Sequence, residues 1–142
     1  MQERAVKQYI RATNESYDLA VALQDNGALD RRYGSMPENF RLGFHTDLQA
    51  RGDMNRWFNG LGIDPTTDPN IWVNARVYDA GDERNYRIPD LQVGDYTIEG
   101  TLWKKDLLTP QISDIVSWSN PRTVVIVNPY EHNHGRVTRY QP

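Results

Sequence analysis

Residues 86–129 read YRIPDLQVGDYTIEGTLWKKDLLTPQISDIVSWSNPRTVVIVNP, and this stretch decides the fold. Arg87–Leu91 and Tyr96–Trp103 read as two strands, separated by a turn at Gly94-Asp95. Thr109-Pro110 opens a helix, with threonine as its cap and proline at the first position, where a missing N–H costs nothing. Ile112, Ile115, Val116 and Trp118 supply its apolar side, and Asn120-Pro121 ends it. Thr123–Val127 (TVVIV) is an unbroken apolar run, which predicts a strand covered on both faces.

Upstream, Ile71, Val73, Ala75 and Val77 alternate with Trp72, Asn74, Arg76 and Tyr78, a period of two that predicts one more strand, with AGDERN as the turn after it. IDPTTDPN is a connector. Further back, Phe40, Phe44, Leu48, Trp57, Phe58 and Leu61 give an apolar face to a helical region that begins near Ser35 or Pro37. Gly52 breaks or kinks that region, and Gly60 and Gly62 stop it. LDRRYGSMPEN reads as a loop. Gln2 to about Gln24 is an amphipathic helix closed at Asn26-Gly27. Downstream, the polar tail PYEHNHGRVTRYQP holds at most one short strand, GRVTRY.

The fold class is therefore α/β. Residues 1–142 form a single domain, with a helical part over 1–65, a β-β-β-α-β core over 71–128 and a tail over 129–142. An antiparallel meander followed by a right-handed crossover to a buried parallel strand gives a mixed sheet flanked by helices.

A chain of 142 residues is long enough for a core without staples. It has no cysteine, so disulfides, thiolate metal sites and thiol nucleophiles are excluded. Four Trp and eight Tyr offer large surfaces to bury. No run approaches the roughly 20 apolar residues of a membrane span. MQERAVKQYI lacks the apolar centre of a signal peptide, so export is expected by another route or as part of a longer protein. A net charge of −3 argues against a broadly basic nucleic-acid coat, yet leaves room for an enzyme that concentrates a few cations and a metal ion at a small site.

Asp90 and Glu99 fall on neighbouring strands, where their carboxylates can converge at one edge. Two such groups repel unless a cation stands between them, and a hard divalent ion, Mg²⁺ or Mn²⁺, suits oxygen ligands. In a strand running to Trp103 and beyond, Lys105 shares parity with Glu99, whereas Lys104 does not. A lysine there would stabilise charge on a phosphate or orient a water. Gln111, on the first turn of the following helix, can hold a phosphate or the lysine.

The order α-β-β-β-α-β with Pro89-Asp90, Glu99, a lysine and Gln111 resembles the PD-(D/E)XK, or restriction-endonuclease-like, nuclease superfamily. More narrowly, RIPDLQVGD and EGTLWKKDLLTPQISD are similar to toxin domains at the C-termini of polymorphic, Rhs-type bacterial toxins. The likeness covers residues 71–128. It implies a restriction-endonuclease-like core with extra N-terminal helices, and metal-dependent hydrolysis of phosphodiester bonds, with DNA preferred over structured RNA such as tRNA. It also implies delivery by a bacterial secretion system into a target cell's cytoplasm, interbacterial competition, a cognate immunity protein and a monomeric state. Asp90 and Glu99 would be the metal ligands, Lys105 or Lys104 the charge-stabilising group, and Gln111 the helix residue. The superfamily lysine stands two positions after the second acid, and that position is Thr101 here. With no lysine in reach the domain would be an inactive, nuclease-like binding module.

Taken singly, each signal has a structural explanation. Pro-Asp is a common turn dipeptide, a strand glutamate faces solvent by default, and a lysine pair before a loop is a solvated end. Only their order, on these elements, points to chemistry. Asp95 reads as a turn residue that could replace one carboxylate. Glu3 and Glu15 are the places from which a third ligand would come. His45 reads as a satisfied helix histidine, and becomes a general base only if its helix faces the sheet edge. Glu131-His132-Asn133-His134 has two imidazoles two residues apart but lacks the ββα unit of a His-Asn-His nuclease. Trp72, Trp103 and Trp118 read as core or interface anchors rather than base-stacking platforms.

Overall fold

The computed structural model describes residues 1–129 and 135–142, and its elements follow the local chemistry of the chain. Helix α1 (Gln2–Asp25) ends where Gly27 turns left-handed at φ 80°, a conformation that costs glycine little. A short α2 (Ala28–Arg32) follows in the segment expected to be loop, its start tied by Asn26 Oδ1 accepting from the Ala28 N–H. Helix α3 (Glu38–Gly60) runs unbroken through Gly52. One glycine costs about 1 kcal/mol against alanine in a helix, and packing on α1 outweighs that here.

The expected strand Ile71–Tyr78 is two strands. β1 (Ile71–Val73) stops at Asn74, whose φ of 55° swings the chain off the sheet, an arrangement asparagine tolerates better than most residues. β2 (Val77–Asp79) then pairs with β3 (Asp82–Arg87) as a separate hairpin, so most of AGDERN is strand rather than turn. Tyr78 and Tyr86 meet across that hairpin, edge to face at 6.1 Å. The strand expected over Arg87–Leu91 is interrupted as well. Pro89 has no N–H to give a ladder, and pairing resumes only in β4 (Leu91–Val93). β5 (Tyr96–Gly100) is shorter than expected, α4 (Pro110–Ser119) and β6 (Thr123–Val127) match their sequence signals, and β7 (Val137–Tyr140) is the short strand of the tail.

The main sheet has the order β1-β4-β5-β6-β7, with β5 and β6 parallel and the other neighbours antiparallel. Every residue of β6 is buried, as the TVVIV run requires. Its side chains alternate between two cores. Val125 and Val127 join Ala5, Val6 and Tyr9 of α1 and Ala50, Met54 and Phe58 of α3. Val124 and Ile126 join Ile112 of α4 on the other face. The protein is thus a mixed sheet flanked by helices.

The buried stripe of α3 is Ala50, Met54 and Phe58, not the whole apolar face read from the sequence. Phe40, Phe44, Leu48 and Leu61 are exposed, the first three four residues apart along one line of the helix. Trp72 and Trp103 are exposed too, and so are not core anchors. No helix among the described residues is long and apolar enough to cross a membrane.

Candidate active site

The antiparallel register that sets Leu91 opposite Ile98 brings Asp90, one step earlier, against Glu99, one step later. Each acid then bonds to the other's neighbourhood through the main chain. The Asp90 N–H donates to Glu99 Oε1 at 2.9 Å, and the Gly100 N–H donates to Asp90 Oδ2 at 2.8 Å. The Tyr9 hydroxyl of α1 adds a third bond, 3.1 Å to the same Oδ2. Glu99 leaves β5 beside Ile126, on the α4 side, while Asp90 reaches toward α1, so the acids meet at the end of the sheet rather than on one face. Both are buried.

Lys105 arrives from the loop after β5. Its Nζ lies 3.9 Å from Glu99 Oε2 and donates to Gln111 Oε1 at 3.2 Å. Strand parity is not what carries it there, because β5 has already ended at Gly100. The loop itself is held. Asn128, buried just after β6, donates to the carbonyls of Thr101 at 2.7 Å and Trp103 at 3.1 Å, and Thr101 Oγ1 accepts from the Trp103 N–H at 3.0 Å. Thr101, at the position where the superfamily places its lysine, is therefore a loop residue. Lys104 is exposed and joins none of these contacts.

One acid of this neighbourhood was not singled out in the sequence. Asp47 of α3 lines the cleft beside Gly100 and Lys105, and burial together with the Asp90 charge pushes its carboxyl up to about 8, against the pull of Arg51 and Lys105. The carboxyls of Asp90 and Glu99 are likewise raised. For Asp90 burial is the main cause, opposed by the Gly100 N–H and by Arg51; for Glu99 burial leads and the Asp90 charge adds to it. The Tyr9 phenol is pushed well above its usual range by burial and the nearby acids, which keeps its proton available for Asp90. Asp47 sits on a helix far upstream, and no spacing rule links it to a strand acid; only the packing of α3 on the sheet does so.

Among the described residues no group of three or more His, Cys, Asp or Glu side chains is close enough to hold a metal ion. The donor chemistry nonetheless fits a hard divalent cation, since Mg²⁺ uses one or two carboxylates and completes its shell with water and substrate oxygens. Asp90 and Glu99 would hold it. Carboxyls that keep their protons chiefly because they are buried are relieved of that cost by a bound cation.

The remaining sequence candidates lie elsewhere. Glu3 accepts from Tyr96 and pairs with Arg139 at 2.7 Å, and Glu15 pairs with Arg11 at 3.0 Å, so neither is a third ligand. Asp95 binds Arg122 at 2.9 Å at the turn end of the β4–β5 hairpin, away from Glu99. His45 is 3 % exposed, with Nδ1 3.0 Å from the Tyr33 hydroxyl, while Nε2 is buried with no partner, so the histidine is only half satisfied. Burial lowers its pKa, which keeps the ring neutral. The Glu131-His132-Asn133-His134 cluster lies outside the described residues. Compared with known proteins, the chain matches no family model, no curated protein and no solved structure.

Proposed function

We propose that the protein is a metal-dependent nuclease with a restriction-endonuclease-like core, hydrolysing phosphodiester bonds and preferring DNA. The observation that carries this is the clasp of Asp90 and Glu99, each bonded to the other's main-chain surroundings, with the Lys105 ammonium 3.9 Å from Glu99. A Mg²⁺ or Mn²⁺ ion bound by the two acids would supply charge stabilisation and a more acidic water. The chain's own groups do the rest. Lys105 offers a positive charge to the phosphate as negative charge gathers on its oxygens. Gln111 fixes that ammonium through its carbonyl oxygen, leaving its amide N–H groups to meet a phosphate. Tyr9 and the Gly100 N–H hold Asp90 in one orientation, so it does not have to be ordered during the reaction.

By the same resemblance we assign the domain to interbacterial competition, as an injected effector restrained by a cognate immunity protein. The test is cleavage of plasmid DNA by the purified protein in Mg²⁺ or Mn²⁺. Cutting should stop with EDTA, and Lys105→Ala should slow it roughly 10²–10³-fold. Plasmid and single-stranded DNA both left intact with either ion would refute the assignment.

A further inference from the structure

The face of α3 that the core leaves uncovered lines a cleft together with Asp47 and Lys105. Phe40 and Phe44 are 55 % and 43 % exposed, and across from them Trp103 is 56 % exposed. Together with Leu102 they wall a cleft of about 470 Å³ whose lining also includes Asp47, Gly100 and Lys105. Apolar, largely aromatic walls therefore run down to Asp47 and to Lys105, whose ammonium stands 3.9 Å from Glu99.

Trp103 is not exposed because its segment is slack. Its N–H donates to Thr101 Oγ1 and its carbonyl accepts from buried Asn128, so its backbone is fixed on both sides. Phe44 is seated edge to face on Tyr33 at 5.4 Å. Indole and phenyl surfaces held on rigid backbone, facing a cleft, form a platform that loses little entropy when a flat ring is laid on it.

We infer that this cleft is a nucleobase subsite, and that the strand being cut is unpaired at that base. The inference rests on the nuclease assignment above and narrows its substrate class. A nucleotide is the occupant that answers both parts of the cleft, a π face for the walls and an anion for Lys105. A base within a duplex is already stacked above and below and cannot enter, whereas an unpaired base is free to, and aromatic stacking of this kind is tolerant of sequence. On this inference Trp103 is a stacking surface, where the sequence alone suggested a core or interface anchor.

The test uses a short end-labelled oligonucleotide in Mg²⁺, as DNA and as RNA, each single-stranded and annealed to its complement. It is given to the wild-type protein and to Trp103→Ala, Trp103→Leu and Trp103→Phe, each checked for folding by circular dichroism. The unpaired strand should be cut at least about tenfold more efficiently than the same strand in a duplex. Trp103→Ala should raise KM for it by about tenfold or more. Trp103→Phe, which keeps a π face, should recover most of that loss, and Trp103→Leu, which keeps only the apolar bulk, should not. Equal cutting of paired and unpaired strands would overturn the inference. So would Leu and Phe variants that behave alike, or an Ala variant like wild type, in which case the patch serves a protein partner. If wild type cuts nothing, the nuclease assignment fails by itself. The subsite is then judged on fluorescence anisotropy of the unpaired strand: binding that Trp103→Ala abolishes upholds it, and no binding overturns it.

Discussion

At the scale of single residues, the site is a set of acids held against their own charge. Asp47, Asp90 and Glu99 all bind protons more tightly when folded than when unfolded. The stability this contributes is fully present below the unfolded carboxyl range, near pH 4, and is lost as pH rises through the folded values, which for Asp47 means up to about 8. Metal-free protein should therefore melt lower at pH 8 than at pH 5. Asp47→Asn, which keeps the shape and removes the charge, should gain about 2 kcal/mol, roughly 5 °C in Tm, at pH 8 and nothing at pH 4, as thermal melts in EDTA would show. Asp90, Glu99 and Gln111 were legible in the sequence because strand order and a helix start place them. Lys105 was legible as well, though by a parity that the chain does not follow. Asp47 was not, since its tie to the others runs through helix packing rather than through any local period.

At the scale of elements, the contact between α1 and β5 decides whether Asp90 is aimed. A Cβ added at Gly100 would stand 2.5 Å from the Tyr9 hydroxyl, closer than atoms can pack. Gly100→Ala should therefore cost about 1–3 kcal/mol by overpacking and reduce activity by turning Asp90. Tyr9→Phe removes the clashing oxygen, so the double variant should be less destabilised than the two single changes add up to, by about 1 kcal/mol in denaturant melts. Asn128→Ala frees two carbonyls and should loosen Lys105 from Gln111, with a loss of activity larger than its loss of stability. The helix and strand signals over residues 109–127 were reliable because proline and apolar run agreed, although the Thr109 hydroxyl accepts from the Asp106 N–H rather than capping the helix. The strand breaks at Asn74 and Pro89 were missed because a period of two says nothing about which sheet a strand joins. The same blindness applied to α3, where a helical period marks apolar residues without saying which of two stripes meets the core.

At the scale of the whole molecule, two cores sit on opposite faces of one sheet, and the acids sit where its strands end. Binding of a cation to the folded state alone should stabilise it by mass action, about 2.7 kcal/mol at a hundredfold excess over Kd. Differential scanning calorimetry with Mg²⁺ or Mn²⁺ should show Tm rising with ion concentration in wild type and flat in Glu99→Gln, whose amide oxygen still accepts the Asp90 N–H. An equal rise in both would place the ion elsewhere.

The groups around the acids come from widely separated parts of the chain: Tyr9 from the first helix, Asp47 and Arg51 from the third, Lys105 and Gln111 from beyond the hairpin. A polypeptide still leaving the ribosome, or threaded through a narrow pore from either end, carries only a fraction of that assembly. The arrangement can exist only once both halves of the chain have folded together.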